Sequence, residues 1–504
     1  MNQLDKLLYG KSGLQHIVGL EVTDSYAEVF QENPKTGLVT SLFIPNKFWI
    51  LSDKPFTRGF VRLEGEQHYK WGKQFETRED FLKFRGKHKH TQDLYSIYDP
   101  REAMMVKDGI TFHHGLKVED VSVLSFDIET TGFKYGPNDK LLLISNTYRK
   151  KGVITRKLFA YDEYESQGAM IDAWCTWVRE MNPSYLVGHN IFSFDLWYLN
   201  EVAKKNDTAL LLGRDKSEIK FNSYESKFRK DQTQDIHYKR AYIYGRGIID
   251  TFFLSIRFDV VLKRYESYGL KQIIKQEGLE RENRVFYDAS KIRENYKIKE
   301  EWEKIKTYCC EDSDDSLALY DLMVPAMFYF ARHISKPFEL IVQSASGSMI
   351  NNMMIRSYLQ DKHSIAKADN IKTFAGAISW GNPGVYKNAI KWDIQAMYPS
   401  LMISNEIYPK NKDPKKYMLQ ILKFMREERL INKKLSKIER DYYWSVEQSM
   451  KIGINSFFGT LGGSGLNYNS GEDALKVTSS GQKVLKDAIL WATNKPYEEW
   501  NLQN

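Results

Sequence analysis

Residues 121–126, Val-Ser-Val-Leu-Ser-Phe, form a continuous apolar and β-branched run of the kind that makes a central strand covered on both faces. Residues 185–187 read as a second buried strand, and residues 247–253 as a third β-prone segment. Between and after them lie helix-like stretches at 170–181 and 300–323. Strands alternating with helices predict an α/β domain over about 118–330. Ahead of it, short β-prone runs (16–22, 60–63) alternate with turns and predict a β-rich N-terminal domain. A second break falls near Pro383-Gly384. It precedes a β-type run at 389–393, Ala-Ile-Lys-Trp-Asp, which ends in the turn-forming Tyr398-Pro399-Ser400. Two long amphipathic helices follow, a heavily basic one at 415–438 and one at 440–458 that runs into Gly459. A last helix is predicted at 474–493.

Composition narrows the class. A chain of 504 residues holds several domains, and 42% apolar with 27% charged residues is the balance of a globular protein. No apolar run approaches the roughly 18–20 residues needed to span a bilayer. The N-terminus lacks a basic stretch followed by an apolar core, so no secretory signal is expected. Three cysteines, Cys175, Cys309 and Cys310, cannot build a disulfide framework, and a reducing cytoplasm is the simplest home. The net charge of +8 is only mildly basic for 59.0 kDa. The aromatic share is more telling. Tyr, Phe and Trp number 31, 27 and 11, and rings that reach the surface stack on unpaired bases.

Three short segments carry carboxylates in patterns that suggest metal chemistry. Asp127 and Glu129 stand two apart on a predicted strand and therefore share a face. Their mutual repulsion is relieved by a hard divalent cation, although a solvated or salt-bridged pair looks the same. Asp195 follows Gly188-His189-Asn190-Ile-Phe-Ser-Phe194, at the carboxyl end of a buried strand, where open α/β sheets place ligands. A plain helix N-cap is the alternative there. Tyr308 and Asp312 are one helical turn apart, so a phenol and a carboxylate share a face. An ordinary acidic helix is the alternative, because Glu311, Asp314 and Asp315 crowd the same stretch. Asp250 reads as a structural acid at a strand end.

Taken in order, Asp-Ile-Glu-Thr, Asn-x-x-x-Phe-Asp and Tyr-x-x-x-Asp resemble the three motifs of the proofreading 3′→5′ exonuclease superfamily as found in family B DNA polymerases. The resemblance implies that Asp127, Glu129, Asp195 and Asp312 ligate two Mg²⁺ or Mn²⁺ ions and that Tyr308 orients the attacking water. Residues 392–400, Trp-Asp-Ile-Gln-Ala-Met-Tyr-Pro-Ser, resemble polymerase motif A, with Ala396 and Met397 replacing the usual Ser-Leu. On that likeness Asp393 binds metal and the backbone of Ile394, Gln395, Ala396 and Met397 cradles a triphosphate. Tyr398 lies under the sugar and excludes a 2′-hydroxyl. Lys451-Ile-Gly-Ile-Asn455-Ser456-Phe-Phe458-Gly459 resembles motif B, with Phe458 where Tyr is usual. Arg429 and Lys433 match the cationic Arg-x-x-x-Lys pattern of the fingers, and join Lys451 and Asn455 as nucleotide ligands. Phe374-Ala-Gly376-Ala377 is similar to the element before motif A that touches template. It forms the implied DNA contacts together with Ser456 and Gly459.

A third polymerase motif, Tyr-x-Asp-Thr-Asp-Ser, does not occur between Gly459 and Asn504. The resemblance therefore implies an α/β multidomain chain: a β-rich N-terminal domain (1–117, with 331–365 returning to it) and a ribonuclease-H-like exonuclease domain (118–330). A first palm part with motif A (366–411), helical fingers (412–458) and an incomplete second palm part (459–504) without a thumb follow. It implies the N-terminal part of a replicative, viral-style and split DNA-directed DNA polymerase, cytoplasmic in a bacterial host if viral. Two metal ions would serve the polymerase site once it is completed. The implied partners are primer–template DNA, single-stranded 3′ ends, a deoxynucleoside triphosphate, a complementing polypeptide with the third motif and thumb, and a sliding clamp. The alternatives are a stand-alone 3′→5′ exonuclease whose palm and fingers only bind DNA, and an inactive nucleic-acid-binding scaffold.

Overall fold

The computed structural model describes residues 2–90, 93–230, 234–260, 263–378, 384–391 and 393–501. The N-terminal part opens with α1 (Gln3–Tyr9), capped by Asn2, and a three-stranded antiparallel sheet of β1 (Ile17–Val22), β2 (Tyr26–Glu32) and β3 (Val39–Pro45). A four-stranded sheet follows, in the order β5-β6-β4-β7, from β4 (Phe48–Ser52), β5 (Val61–Arg62), β6 (Trp71–Phe75) and β7 (Leu94–Tyr95). Helices α2 (Arg78–His88) and α3 (Pro100–Asp108) complete this part. The segment after residue 360 returns to it, since Tyr69 and Ile365 form an antiparallel bridge.

The next part is built on a five-stranded sheet. Its strands are β8 (Val123–Thr130), β9 (Leu141–Lys150), β10 (Val153–Ala160), β11 (Tyr185–Gly188) and, after the short hairpin strands β12 (Lys220–Phe221), β13 (Ser226–Arg229), β14 (Asp235–Tyr238) and β15 (Ala241–Tyr242), the edge strand β16 (Gly247–Asp250). The order is β10-β9-β8-β11-β16, with β8, β11 and β16 parallel and β9 antiparallel to both of its neighbours, β8 and β10. The apolar run at 121–126 makes β8 central because both of its faces are covered. Leu124, Phe126 and Ile128 pack with α4 (Gln167–Met181) and α5 (Asp195–Lys205), the Phe126 and Trp174 rings lying 5.4 Å apart. The other face meets α9 (Lys299–Phe330), where Ser145 on the neighbouring β9 donates to the Cys309 carbonyl at 2.7 Å. The β-prone segment expected to continue to 253 ends at Asp250, which caps α6 (Thr251–Asp259) through a 2.9 Å bond from the Phe252 N–H. Helices α7 (Leu270–Gln276) and α8 (Ile292–Asn295) lead into α9.

Helix α9 runs past the expected 323 and through Pro325. Its end is locked to the other parts by His113, whose ring stacks on Phe328 at 3.7 Å and bonds the Tyr185 hydroxyl at 2.6 Å. The remainder is helical: α10 (Phe338–Gln343), α11 (Ser346–Gln360), α12 (Met397–Ser404), α13 (Tyr417–Leu435), α14 (Arg440–Gly462), α15 (Gly471–Thr493) and α16 (Tyr497–Asn501). Two expectations are corrected here. The β-type run at 389–393 is no strand among its described residues, and Trp392 lies outside them. A strand needs a hydrogen-bonded neighbour, and no described segment beyond 366 is a strand that would pair with it. Tyr398-Pro399-Ser400 is the first part of α12 rather than a turn, and Pro399 falls in the opening turn, where no intrahelical N–H bond is lost. The turn comes one step earlier, with Ala396 at φ 48°. Helix α14 also continues beyond the expected 458, through Gly459, to Gly462. Among the described residues no helix is long and apolar enough to cross a membrane.

Candidate active site

Four carboxylates meet where β8, β11 and α9 converge. Ser125, Asp127 and Glu129 alternate on β8 with the apolar residues that face α4 and α5, so Asp127 and Glu129 turn toward α9. Contact with Cys309 shows this directly: its Sγ lies 3.9 Å from Asp127 Oδ2, and donor atoms of Asp127, Glu129 and Cys309 lie within 4.8 Å of one another. Asp195 opens α5, with Phe194 at the cap position, so it is not itself the N-cap. Asp250 holds the loop that leads there, accepting from the N–H groups of Asn190 at 2.7 Å and Phe192 at 3.3 Å. His189 fixes the same loop through Thr251 Oγ1 (2.9 Å) and the Tyr268 carbonyl (2.8 Å).

The electrostatics show how close these groups are. Burial pushes Asp127 well above the usual carboxylate range, and the charges of Asp312, Asp195 and Glu129 push it further. Glu129 is pushed up to about 8 by burial and then by Asp312, while Lys271 opposes the shift. Asp195 rises to about 7, again chiefly through burial. A hard divalent cation removes this penalty, so the donor set fits one, with Asp127, Glu129, Asp195 and Asp312 as the residues that would hold it. The Tyr308 phenol, buried and beside Asp312, is held far above its ordinary value and stays a hydroxyl.

Lys271 and Arg284 are part of this arrangement and were not singled out by the sequence. Both pair with the Asp312 carboxylate, and Arg284 also donates from Nε to Asp315 at 2.7 Å. The Lys271 ammonium lies 4.5 Å from the centre of the Tyr308 ring. The available signal for Lys271 is its place one step into a helix after Tyr268-Gly-Leu270; Arg284 lies in an irregular segment that offers none.

The second group of expected residues is spread more widely. Asp393 and Ile394 are exposed, at the start of the turn that precedes α12. Gln395 and Ala396 line a small cavity of about 60 Å³ with Arg426, Arg429, Leu430 and Ile454. Met397 and Tyr398 begin α12, and the Tyr398 ring sits 4.6 Å from that of Phe458. A Cβ at Gly481 would come within 3.0 Å of the Tyr398 ring, so the glycine is what lets α15 approach it. Arg429 is paired with Glu447, and Lys433 is exposed. Lys451 and Asn455 line a different cavity, with Met323 and Met327 of α9. Ser456 is buried, its hydroxyl donates back to the Ile452 carbonyl at 2.6 Å, and it lines the same cavity as Lys451 and Asn455. Phe374, Gly376 and Ala377 run beside α15, tied by bonds to the Ala375 and Gly376 carbonyls of 2.8 Å and 2.7 Å from Thr478 and Gln482. Gly459 is exposed and opposes Gly347, where a Cβ would stand 3.0 Å from the Gly459 backbone.

Comparison with known proteins bears on the fold and on the class of domain. Residues 100–273 match the family described as DNA polymerase family B, exonuclease domain. The structure is similar to that of the family B DNA polymerase from the hyperthermophilic archaeon Pyrobaculum calidifontis, with a TM-score of 0.74 at 16% identity, over 94% of this chain and 72% of that one. The chain thus has the fold of a family B DNA polymerase, with an exonuclease domain and a β-rich N-terminal domain. Its relatives include DNA polymerases of Thermococcus litoralis (24% identical, 73% of this chain and 23% of that protein) and Thermococcus gorgonarius (23%, 74% and 51%). The DNA polymerase delta catalytic subunit of Plasmodium falciparum is 27% identical over 58% of this chain and 29% of its own length. The chain spans about half or less of the length of these curated relatives. They are archaeal and plasmodial, so they lend nothing to the viral expectation.

Proposed function

We propose that this chain removes nucleotides from the 3′ end of DNA at the Asp127–Glu129–Asp195–Asp312 cluster, and that residues 366–501 form the nucleotide-facing part of a DNA-directed DNA polymerase. The observation that carries the first half is the convergence of four carboxylates from three separate elements into one buried cluster, in which burial and then neighbouring charge raise Asp127, Glu129 and Asp195. Magnesium or manganese ions, two in this reading, supply a nucleophilic water at neutral pH and charge for the leaving 3′ oxygen. The chain's own side chains do the positioning. Tyr308 offers its hydroxyl to the water, and Lys271 and Arg284 hold the Asp312 carboxylate in place.

The polymerase half rests on the turn at 394–397, which leads into the N-terminus of α12, a natural seat for phosphate oxygens. Arg426 and Arg429 border it; Lys433, Lys451 and Asn455 complete the proposed nucleotide set, with Asp393 as the acid. The neighbouring cavities are lined by no carboxylate, and among the described residues no group of three metal-ligating side chains surrounds Asp393. In this reading a further acid for nucleotidyl transfer comes from a complementing polypeptide that carries the third motif.

The test is direct. With Mg²⁺, the chain should shorten a 5′-labelled single-stranded oligodeoxynucleotide from its 3′ end, and chelator should stop it. Asp127→Ala combined with Glu129→Ala should lower the rate by at least about two orders of magnitude. Undiminished degradation by that double variant would overturn the assignment.

A further inference from the structure

Cys309 stands inside the carboxylate cluster, and the exonuclease reading gives it no task. It follows Tyr308 on α9, three positions before Asp312, and its side chain is wholly buried. It belongs to a small apolar cluster with Leu143, Trp302 and Ile305, where a cysteine packs as a small hydrophobe. Its sulfur, however, meets polar atoms. Sγ lies 3.9 Å from both the main-chain oxygen and Oδ2 of Asp127. Ser145 of β9 holds the two elements at that spacing, its hydroxyl 2.7 Å from the Cys309 carbonyl and 3.4 Å from that of Asp127.

Pairing decides which donors of the cluster are open to an ion. The Asp312 carboxylate is already answered by Lys271 and Arg284. Glu129 is not answered: only 8% exposed, it takes no hydrogen bond among the described residues. A buried carboxylate without a donor is costly, and a cation relieves that cost. Asp127, Glu129 and Cys309 each bring one donor atom to within 4.8 Å of the other two, and neither Asp195 nor Asp312 belongs to that group. An ion that holds oxygen at about 2.0 Å and sulfur at about 2.3 Å in a tetrahedral array spaces them about 3.5 Å apart. Sγ and Oδ2, at 3.9 Å, need close by only a few tenths of an ångström to meet it.

We infer that Asp127, Glu129 and Cys309 form a site for a thiophilic divalent cation, zinc or cadmium, with the Cys309 sulfur as its third ligand. The thiol proton passes to bulk water as the sulfur–metal bond forms. Magnesium gains little from sulfur and keeps to the oxygens, so the softness of the ion selects the ligand set. A thiophilic ion held this way takes Asp127 and Glu129 from magnesium without drawing Asp312 from its two cations. The inference rests on the reading of this cluster as a metal centre.

The test reads the sulfur–metal bond rather than turnover. The full chain, reduced and stripped of metal, is titrated with Cd²⁺ while the ultraviolet sulfur-to-cadmium charge-transfer band is followed. The band should saturate at one equivalent. Zn²⁺ should then displace Cd²⁺ and erase it, whereas Mg²⁺ should do so only in large excess. Cys309→Ser should abolish the band and weaken Cd²⁺ binding by at least about tenfold, the loss of one ligand. Cys310→Ser and Cys175→Ala should keep both. Should Cys309→Ser fail to fold, Asp127→Asn decides the matter, because it leaves every thiol in place and should still weaken the band's titration by about tenfold. No band in the wild-type chain, a band that survives in Cys309→Ser, or an unchanged titration in Asp127→Asn would overturn the inference. Each of those results leaves Mg²⁺-dependent degradation of a 3′ end to its own assay, so that the two readings fail separately.

Discussion

The guanidinium of Arg429 and the carboxylate of Glu447 form an ion pair between α13 and α14, Nε to Oε1 at 2.7 Å, with side chains only 12% and 7% exposed. The sequence assigns Arg429 to a triphosphate; in the fold its charge is already met inside the helical hairpin. A nucleotide must compete with Glu447 for it, or be met first by Arg426, which lines the same small cavity beside Ala396.

Removing one member of this pair should have unequal effects. Arg429→Ala leaves Glu447 buried and uncompensated, at a cost of about 3–5 kcal/mol in urea unfolding. Glu447→Gln removes the charge in place and should cost much less. It should also release Arg429, tightening Mg²⁺–deoxynucleoside triphosphate binding in calorimetry. Equal nucleotide affinity in Glu447→Gln and wild type would show that Arg429 does not reach the phosphates.

Tyr308→Phe isolates the hydroxyl in the exonuclease centre. The ring contacts, with Lys271 at 4.5 Å and Tyr287 at 6.4 Å, survive the change. The rate of 3′ degradation should fall by about one to two orders of magnitude, as expected when a reacting water loses its orientation, while the melting temperature stays put. A rate within twofold of wild type would remove Tyr308 from the mechanism.

Glu21 supplies a pH dependence far from any metal ligand. It is buried on β1, accepts from the Gly245 N–H at 2.7 Å, and burial raises it from an ordinary 4.5 to about 8 despite Arg101 nearby. The folded chain therefore binds more protons at this site than the unfolded chain between those values. Its contribution is complete below about pH 4.5 and is lost as pH rises through about 8, with a limiting slope of about 1.4 kcal/mol per pH unit. Glu21→Gln keeps the acceptor and cannot ionise. It should be more stable than wild type at pH 8.5 and similar at pH 5, by chemical denaturation.

Primer extension checks the count of acids around Asp393. The chain by itself should extend no primer. Addition of a polypeptide carrying the third motif and thumb should restore extension, and Asp393→Ala should abolish it again. Robust extension by the chain alone would mean that another carboxylate completes the site.

Local periodicity paired residues within two of the motifs, and the resemblance to the exonuclease motifs is what joined them with Asp195 into one expected site. Asp127 and Glu129 follow from the two-residue period of a strand, and Tyr308 with Asp312 from one helical turn; each needs only a few residues of context. The cations on Asp312 were not legible, because Lys271 and Arg284 stand 41 and 28 positions away and meet it through the fold alone. At 389–393 the β-prone residues misled, since propensity without a partner strand does not make a sheet. Gly459 misled in the other direction. A glycine reads as the end of a helix, yet α14 passes through it, where packing against Gly347 allows two backbones to meet.

Helix α9 spans 32 residues, about 48 Å as a continuous rod. In its first half it bears Tyr308 and Asp312. At its C-terminal end, Tyr329 lies edge-on to Tyr442 of α14, their ring centres 5.2 Å apart. A rod transmits displacement along its length except where it bends easily, and here the one interior proline, Pro325, supplies the soft joint, having no N–H to bond back one turn. In the reading proposed above, α9 links the carboxylate cluster to the helical hairpin, with Pro325 as its most easily bent point.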